Sequence, residues 1–151
     1  MSLQYQEGTA MGGQATSLFW RTWTAERPLS ALLLVHGLGE HSGRYDAFAS
    51  HLAQGGTSVF AFDLRGHGRS GGQRGDVDAF PRFLEDLVGM EEEMAGHFPG
   101  DIPRFLMGHS LGGLIVIRRL QVFRGPWMGA VLSAPWMGTA LPDWLRTVGR
   151  F

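Results

Sequence analysis

The sequence predicts an α/β fold with a mostly parallel sheet that is flanked by helices. Three short apolar segments, at residues 31–35, 57–62 and 104–107, each lead into a glycine-rich loop. Stretches with apolar residues at helical spacing separate these segments. Strands that alternate with helices in this way are typical of a parallel sheet with helices on both faces. We expect about six strands.

The first half of the chain contains three predicted strands and one helix. Residues 17–24 are rich in aromatic and β-branched side chains and alternate in part with polar ones, which indicates a strand. The segment 31–35 is apolar throughout, as in a strand that is buried on both faces. Apolar residues then recur at helical spacing over 45–53, and two glycines at 55–56 end this helix. The third strand covers 57–62.

A long amphipathic helix follows and ends near Gly96. Pro81 suits its first turn, and Asp76 and Asp78 are candidate N-terminal caps. The acidic run at 91–93 is interpreted as a solvated helix face rather than a metal site. The strand at 104–107 comes next and is followed by a helix that ends near Phe123. Residues 129–133 form a further short strand.

The chemistry of the chain is expected at the turn that follows the apolar segment 104–107. The sequence GHSLG at 108–112 leads directly into a helical pattern, which is the strand–turn–helix context of a nucleophile elbow, G-x-S-x-G. Ser110 would have a strained backbone that exposes its hydroxyl at the end of a strand. Gly108 and Gly112 lack the β-carbons that would collide in so tight a turn. The helix N-terminus adds unpaired N–H donors beside the hydroxyl. An ordinary turn is the alternative, since the chain has 23 glycines.

Composition excludes several functional classes. A net charge of −1 over 151 residues provides no basic surface for nucleic acid. No apolar run reaches the length of a membrane span, and the N-terminus lacks the charged and apolar regions of a signal peptide. The chain has no cysteine, which favours a reducing, cytoplasmic location and excludes a thiolate metal site. It has no lysine either, which excludes a Ser–Lys dyad. We expect neither a metal nor an organic cofactor.

Glycines at 66, 68 and 71 match the dinucleotide-binding pattern G-x-G-x-x-G and follow a predicted strand. However, no helix begins directly at these glycines, and no acidic residue ends a second strand about twenty residues later. A nicotinamide site is therefore not favoured.

The chain resembles the α/β-hydrolases, specifically the group of monoacylglycerol lipases, lysophospholipases and S33-type serine aminopeptidases. The likeness is carried by HGLGEHSGRY at 36–45, DLRGHGRS at 63–70 and GHSLGG at 108–113. The first segment is specific to the lipase group, whereas the other two are shared across many α/β-hydrolases. The resemblance implies that Ser110 is the nucleophile and that the backbone N–H groups of Leu38 and Leu111 form the oxyanion hole, with Gly37 in the oxyanion loop. Two fixed donors of this kind stabilise a developing oxyanion.

The histidines before the serine are not expected to act as the catalytic base. His36 is interpreted as a structural residue of its loop. His109 adjoins the serine in sequence, so its side chain should point away from the path of attack. His41 and His67 are expected in loops near the rim of the site.

The chain lacks two members of a catalytic triad. In α/β-hydrolases the order is Ser, then Asp or Glu, then His. After Ser110 the chain has a single acid, Asp143, and no histidine. Asp143 is interpreted as a helix cap. The predicted sheet is also shorter than the eight strands common in this fold. We therefore expect the triad acid and base beyond residue 151.

The predicted organisation is the N-terminal part of an α/β-hydrolase core at 1–135 and the start of a cap or lid at 136–151. Three explanations for the missing residues stay open. The chain is the N-terminal part of a longer hydrolase, a non-catalytic binding module, or one half of an enzyme whose C-terminal half is a separate chain.

The function expected from the sequence is hydrolysis of carboxylic esters through an acyl-enzyme on Ser110, with a monoacylglycerol or lysophospholipid as the lipid-like substrate. A peptidase of the same fold and a non-catalytic binding module are the alternatives. Contact with a membrane or micelle is expected through the apolar cap.

Overall fold

The computed structural model describes residues 3–123 and 125–138, which form an open six-stranded sheet with helices on both faces. The strands are β1 (Gln4–Met11), β2 (Ser17–Thr24), β3 (Ser30–Val35), β4 (Thr57–Phe62), β5 (Arg104–His109) and β6 (Trp127–Ser133). The helices are α1 (Asp46–Gln54), α2 (Pro81–His97) and α3 (Leu111–Val122). Short 3₁₀ turns lie at Gly13–Ala15 and Ser42–Tyr45.

The sheet is mostly parallel, as predicted. Its strand order is β1-β2-β4-β3-β5-β6, and the four strands from β3 to β6 run parallel to one another. The first two strands form an antiparallel hairpin, and β2 pairs antiparallel with β4. From β3 the chain crosses to β4 on one side and later to β5 on the other. This reversal makes the carboxyl ends of β3 and β5 the topological switch point, where open α/β sheets bind their ligands.

The central strand β3 is buried on both faces, which confirms the interpretation of its apolar run. Leu32 and Leu34 pack in the layer under α1, whereas Leu33 and Val35 belong to the larger core under α2 and α3. Because side chains alternate along a strand, a continuous apolar segment can supply both layers.

The prediction of the elements was incomplete in one respect and wrong in another. The strand β1 was not predicted; its side chains are mostly exposed, so it carries little hydrophobic pattern. Asp76 and Asp78 do not cap α2, because the helix begins at Pro81 and Phe80 occupies the cap without a side-chain bond. Asp78 instead accepts a hydrogen bond from the Arg82 guanidinium at 3.2 Å.

The acidic run on α2 is solvated only in part. The side chain of Glu91 is mostly buried and accepts two hydrogen bonds from Arg119 of α3, at 2.9 and 2.6 Å. Burial raises the pKa of Glu91, although the Arg119 guanidinium opposes this rise. Glu92 is exposed, as expected for the whole run. The described residues contain no cluster of three or more metal-ligating side chains.

The end of the chain lies largely outside the described residues. Asp143 and most of the predicted cap fall within 139–151, so the expectations for them are not addressed by the structure. In the part of the chain that is described, no helix is long and apolar enough to cross a membrane.

A buried ion pair ties the hairpin, the loop after β4 and α2 together. Arg65 donates from Nε and Nη2 to the two carboxylate oxygens of Asp86, at 2.6 and 2.7 Å. Asp86 also accepts the Gly13 N–H at 2.9 Å and is fully buried. Removal of one charge from such a pair leaves the other charge buried without compensation.

We therefore expect Asp86→Asn to lower the free energy of unfolding by about 3–5 kcal/mol, since Arg65 loses its counter-charge. Chemical denaturation monitored by circular dichroism measures this change. Glu92→Gln on the exposed face of the same helix is the matched control, with an expected change within about 0.5 kcal/mol. Equal effects of the two substitutions would contradict the prediction.

Candidate active site

Ser110 lies between the end of β5 and the start of α3 in a strained backbone conformation. Its φ of 51° and ψ of −115° are unusual for a residue other than glycine. The Ser110 N–H donates to the Ser133 carbonyl at 3.0 Å, and the Ser110 carbonyl accepts the N–H groups of Leu114 and Trp136 at 3.2 and 2.9 Å. The chain that leaves β6 therefore holds both sides of the strained residue.

The glycines around Ser110 permit backbone contacts that no side chain would allow. A β-carbon at Gly108 would lie 2.4 Å from the Gly112 carbonyl oxygen. A β-carbon at Gly112 would lie 2.1 Å from the Val35 carbonyl oxygen at the end of β3. The first turn of α3 consequently packs directly against the end of the neighbouring strand.

The loop after β3 lies beside the serine. A β-carbon at Gly37 would lie 3.1 Å from Ser110 Cβ, so the two residues are in close contact. In residues 3–123 and 125–138, the Leu38 N–H donates to no backbone or side-chain acceptor. Leu111 opens α3, and the first N–H groups of a helix have no intrahelical acceptor. The structure thus brings Ser110, the loop at 37–39 and the N-terminus of α3 together.

His36 is buried and holds the loop in place. Its Nε2 accepts the Leu64 N–H at 2.9 Å, so its Nδ1 carries the proton that is donated to the Gly37 carbonyl at 2.7 Å. Burial lowers the pKa of His36 to about 4, against the opposing effects of the Gly37 carbonyl and Asp63. The imidazole is therefore neutral near pH 7, and its role is structural, as predicted.

Asp63 joins the loops after β3 and β4, a role that the sequence did not indicate. Its carboxylate accepts the backbone N–H groups of Ser42 and Arg69 at 2.7 and 2.8 Å. Arg21 forms an ion pair with it at 3.3 Å and also donates to Ser42 Oγ. Burial raises the pKa of Asp63, but the hydrogen bonds to its carboxylate outweigh burial, so its pKa lies below the ordinary value.

The remaining histidines near the site do not contact the serine hydroxyl. His109 Nδ1 lies 3.2 Å from Ser133 Oγ, and His41 is exposed. The prediction of a rim position was wrong for His67, which is buried, with Nδ1 2.9 Å from the Arg65 carbonyl. Its ring packs edge-on against His36, and this contact between two loops is not visible in the sequence.

The glycines at 66, 68 and 71 form a compact turn rather than a phosphate-binding loop at a helix N-terminus. The Gly66 N–H donates to the Gly71 carbonyl at 2.8 Å, and the next helix begins only at Pro81. The strand–turn–helix context that a dinucleotide fingerprint requires is not formed at these residues.

A serine in a strained turn between a parallel strand and a helix, with a glycine loop from the neighbouring strand beside it, defines the class of the α/β-hydrolases. Residues 26–151 match the model of the family described as serine aminopeptidase, S33. The chain belongs to this family.

Relatives with known names support the same assignment. The chain is 42% identical to the human monoglyceride lipase over 119 residues, which are 78% of this chain and 39% of that protein. It is 34% identical to the phospholipase YtpA of Bacillus subtilis over 118 residues, or 78% of this chain and 44% of that protein. The crystal structure of a monoacylglycerol lipase from Paleococcus ferrophilus superimposes with a TM-score of 0.69 and 32% identity, over 98% of this chain and 49% of that one.

These comparisons confirm the family and the fold that the sequence motifs indicated. The chain spans less than half the length of each of the three relatives.

The contact between α3 and β3 generates a prediction about stability. Gly112→Ala places a methyl group against the Val35 carbonyl, and we expect it to lower the free energy of unfolding by about 3 kcal/mol or more. Gly96→Ala is the matched control, because a β-carbon there meets nothing within 4 Å. We expect that control to be neutral or slightly stabilising. Denaturant titration of both variants tests the contact, and comparable stability of the two would refute it.

Burial of neutral His36 generates a prediction about the pH dependence of stability. The unfolded chain takes up a proton at this residue below about pH 6.5, whereas the folded chain does so only near pH 4. This contribution to stability is therefore complete above pH 6.5 and is lost as the pH falls toward 4, at about 1 kcal/mol per pH unit. Urea titrations over this range measure the slope.

In His36→Gln, the free energy of unfolding should fall less steeply with decreasing pH, by about 1 kcal/mol per pH unit. This holds even though the variant loses stability at every pH. His51→Gln on the exposed surface of α1 is the control, and it should retain the native slope. Parallel stability curves for the native chain and His36→Gln would contradict the assignment of the slope to His36.

Proposed function

We propose that this chain carries the nucleophile of a serine hydrolase that cleaves carboxylic esters, with a monoacylglycerol or lysophospholipid as substrate. The observation that carries the proposal is the strained Ser110, which is in contact with Gly37 and directly precedes the first turn of α3. The substrate class is supported by relatives that are named monoglyceride lipase and phospholipase.

In the proposed reaction, Ser110 Oγ attacks the ester carbonyl carbon while a base accepts the hydroxyl proton. The carbonyl oxygen becomes an oxyanion, which the N–H groups of Leu38 and Leu111 stabilise. The carbon–oxygen bond to the alcohol then breaks, and the alcohol leaves with the proton. Water then attacks the carbonyl carbon of the resulting acyl-enzyme, the bond to Ser110 Oγ breaks, and the serine hydroxyl regains its proton as the carboxylic acid leaves. The base and the acid that orients it are proposed to lie beyond residue 151.

The proposed organisation assigns residues 1–135 to the hydrolase core and 136–151 to the start of a cap over the acyl chain. At the end of the sheet, β6 exposes Met128, Val131 and Leu132, and its outer edge has no strand partner in the described part of the chain. An exposed apolar edge of this kind is a pairing surface. It supports a complementing C-terminal half, either in the same protein or in a separate chain.

Contact of the cap with a membrane or micelle is a further part of the proposal, since the substrates are lipids. A cytoplasmic location remains a prediction from composition.

Two alternatives to an ester hydrolase are each favoured by one observation. The family is described as serine aminopeptidase, which favours a peptidase of the same fold. The chain has no histidine after Ser110, which favours a non-catalytic binding module. Parallel assays of glycerol esters and aminoacyl amides separate an esterase from a peptidase, and a binding module would be inactive in both.

We expect Ser110→Ala, in the full-length protein that carries this chain, to lower the rate of monoacylglycerol hydrolysis by about 10³-fold or more. Covalent labelling by a fluorophosphonate should also be lost, since the probe reacts with an activated serine hydroxyl. Ser30→Ala at the opposite end of the sheet is the control and should retain both properties. A Ser110→Ala protein with native activity would exclude the proposed nucleophile.

A further inference from the structure

We propose that Glu40 positions the Leu38 N–H for the oxyanion by fixing the peptide unit that precedes Gly37, while His36 fixes the unit that follows it. This inference rests on the proposed function, because it assigns a positioning residue to the site at Ser110. The family motifs in the sequence did not assign a role to this carboxylate.

Glu40 is mostly buried and serves as the acceptor for two donors at once. Its Oε1 accepts the Gly37 N–H at 2.6 Å and the Tyr45 hydroxyl at 2.9 Å. Tyr45 is the residue at the junction between the Ser42–Tyr45 turn and α1, which packs on the sheet. The carboxylate therefore connects the loop beside the serine to a rigid element of the fold.

The backbone of Gly37 is held by hydrogen bonds at both its N–H and its carbonyl. Its N–H is bound by Glu40, and its carbonyl is bound by His36 Nδ1–H at 2.7 Å. In a trans peptide unit the C=O and N–H bonds point in opposite directions. The Leu38 N–H belongs to the same unit as the Gly37 carbonyl, so it points away from His36. Because glycine has unusual freedom of rotation, loss of either bond would release this orientation.

The negative charge of Glu40 strengthens its hydrogen bonds to the Gly37 N–H and the Tyr45 hydroxyl. Burial raises its pKa, but the hydrogen bonds from the Gly37 N–H and Tyr45 outweigh burial, so its pKa lies below the ordinary value. Charge-assisted hydrogen bonds are shorter and stronger than neutral ones. Arg44 contributes little, since its exposed guanidinium is 3.7 Å from Glu40 Oε2 and forms only a surface ion pair.

The test uses the full-length protein that carries this chain, with p-nitrophenyl butyrate as substrate and a fluorophosphonate as covalent probe. We expect Glu40→Ala to lower kcat by about 10- to 100-fold, because loss of a complete oxyanion donor costs 10²- to 10³-fold and a misdirected donor costs part of that. KM should stay within about twofold, since the donor acts on the transition state. Labelling should slow in proportion to kcat.

Substitutions at the same and neighbouring residues separate positioning from a general structural role. Glu40→Gln keeps an acceptor at the same place, so it should recover most of the lost kcat. Arg44→Ala removes only the surface ion pair, and Glu93→Ala removes an acidic side chain from the distant α2. Both controls should retain native kcat. Thermal unfolding of every variant reports its stability independently of activity.

If the alanine variant does not fold, Glu40→Asp decides the matter. This shorter carboxylate cannot reach Gly37 and Tyr45 together, so a reduced kcat with unchanged KM is expected. A folded Glu40→Ala or Glu40→Asp protein with native kcat overturns the inference. It is also overturned if Glu40→Gln recovers nothing and KM and thermal stability change together with kcat. Failure of the proposed function is distinct, because Ser110→Ala would then retain native hydrolysis.

Discussion

The rest of the site depends on one close contact of main chains, between the first turn of α3 and the end of β3. Gly112 approaches the Val35 carbonyl so closely that a β-carbon would lie 2.1 Å from that oxygen. This contact places the N-terminus of a helix beside the loop of the neighbouring strand. In the proposed site, donors from these two separate segments face the same small volume in front of Ser110. No single segment of the chain could supply both.

Buried carboxylates hold the loops around that contact. Asp63, Glu40 and Asp86 each accept at least one backbone N–H from a loop, in addition to side-chain donors. The chain contains no asparagine, whose side-chain amide could also accept such bonds. Carboxylates make stronger bonds but require compensation for their charge. Arg21 and Arg65 provide it for two of the three, whereas Glu40 relies mainly on hydrogen bonds.

The parts of the fold that the sequence predicted are those governed by local rules. Strand β4 was predicted at its observed bounds, because a buried apolar segment between glycines leaves little freedom. The turn at Ser110 was found by its glycine spacing. In contrast, β1 was missed because an exposed edge strand needs no apolar pattern, and its pairing with β2 provides its order.

The contacts that escaped prediction join residues that are distant in sequence. Glu91 was interpreted as solvated, yet it meets Arg119 across the interface between α2 and α3. His67 packs on His36 from another loop, and Asp63 meets Arg21 and Ser42 from two other segments. Neither alternation nor spacing of residues along the chain predicts such contacts, because they follow only from the packing of the sheet.

The hydrogen bonds that fix the backbone of Ser110 come from the end of β6 and from the segment after it, so they set an order of events during synthesis. The strained residue is fixed by the Ser133 carbonyl and the Trp136 N–H, which follow it by more than twenty positions. A nascent chain that ends before these residues cannot make either bond. On the ribosome, the serine consequently acquires its final geometry only after the sixth strand has emerged and paired, although the strand that bears it is complete much earlier.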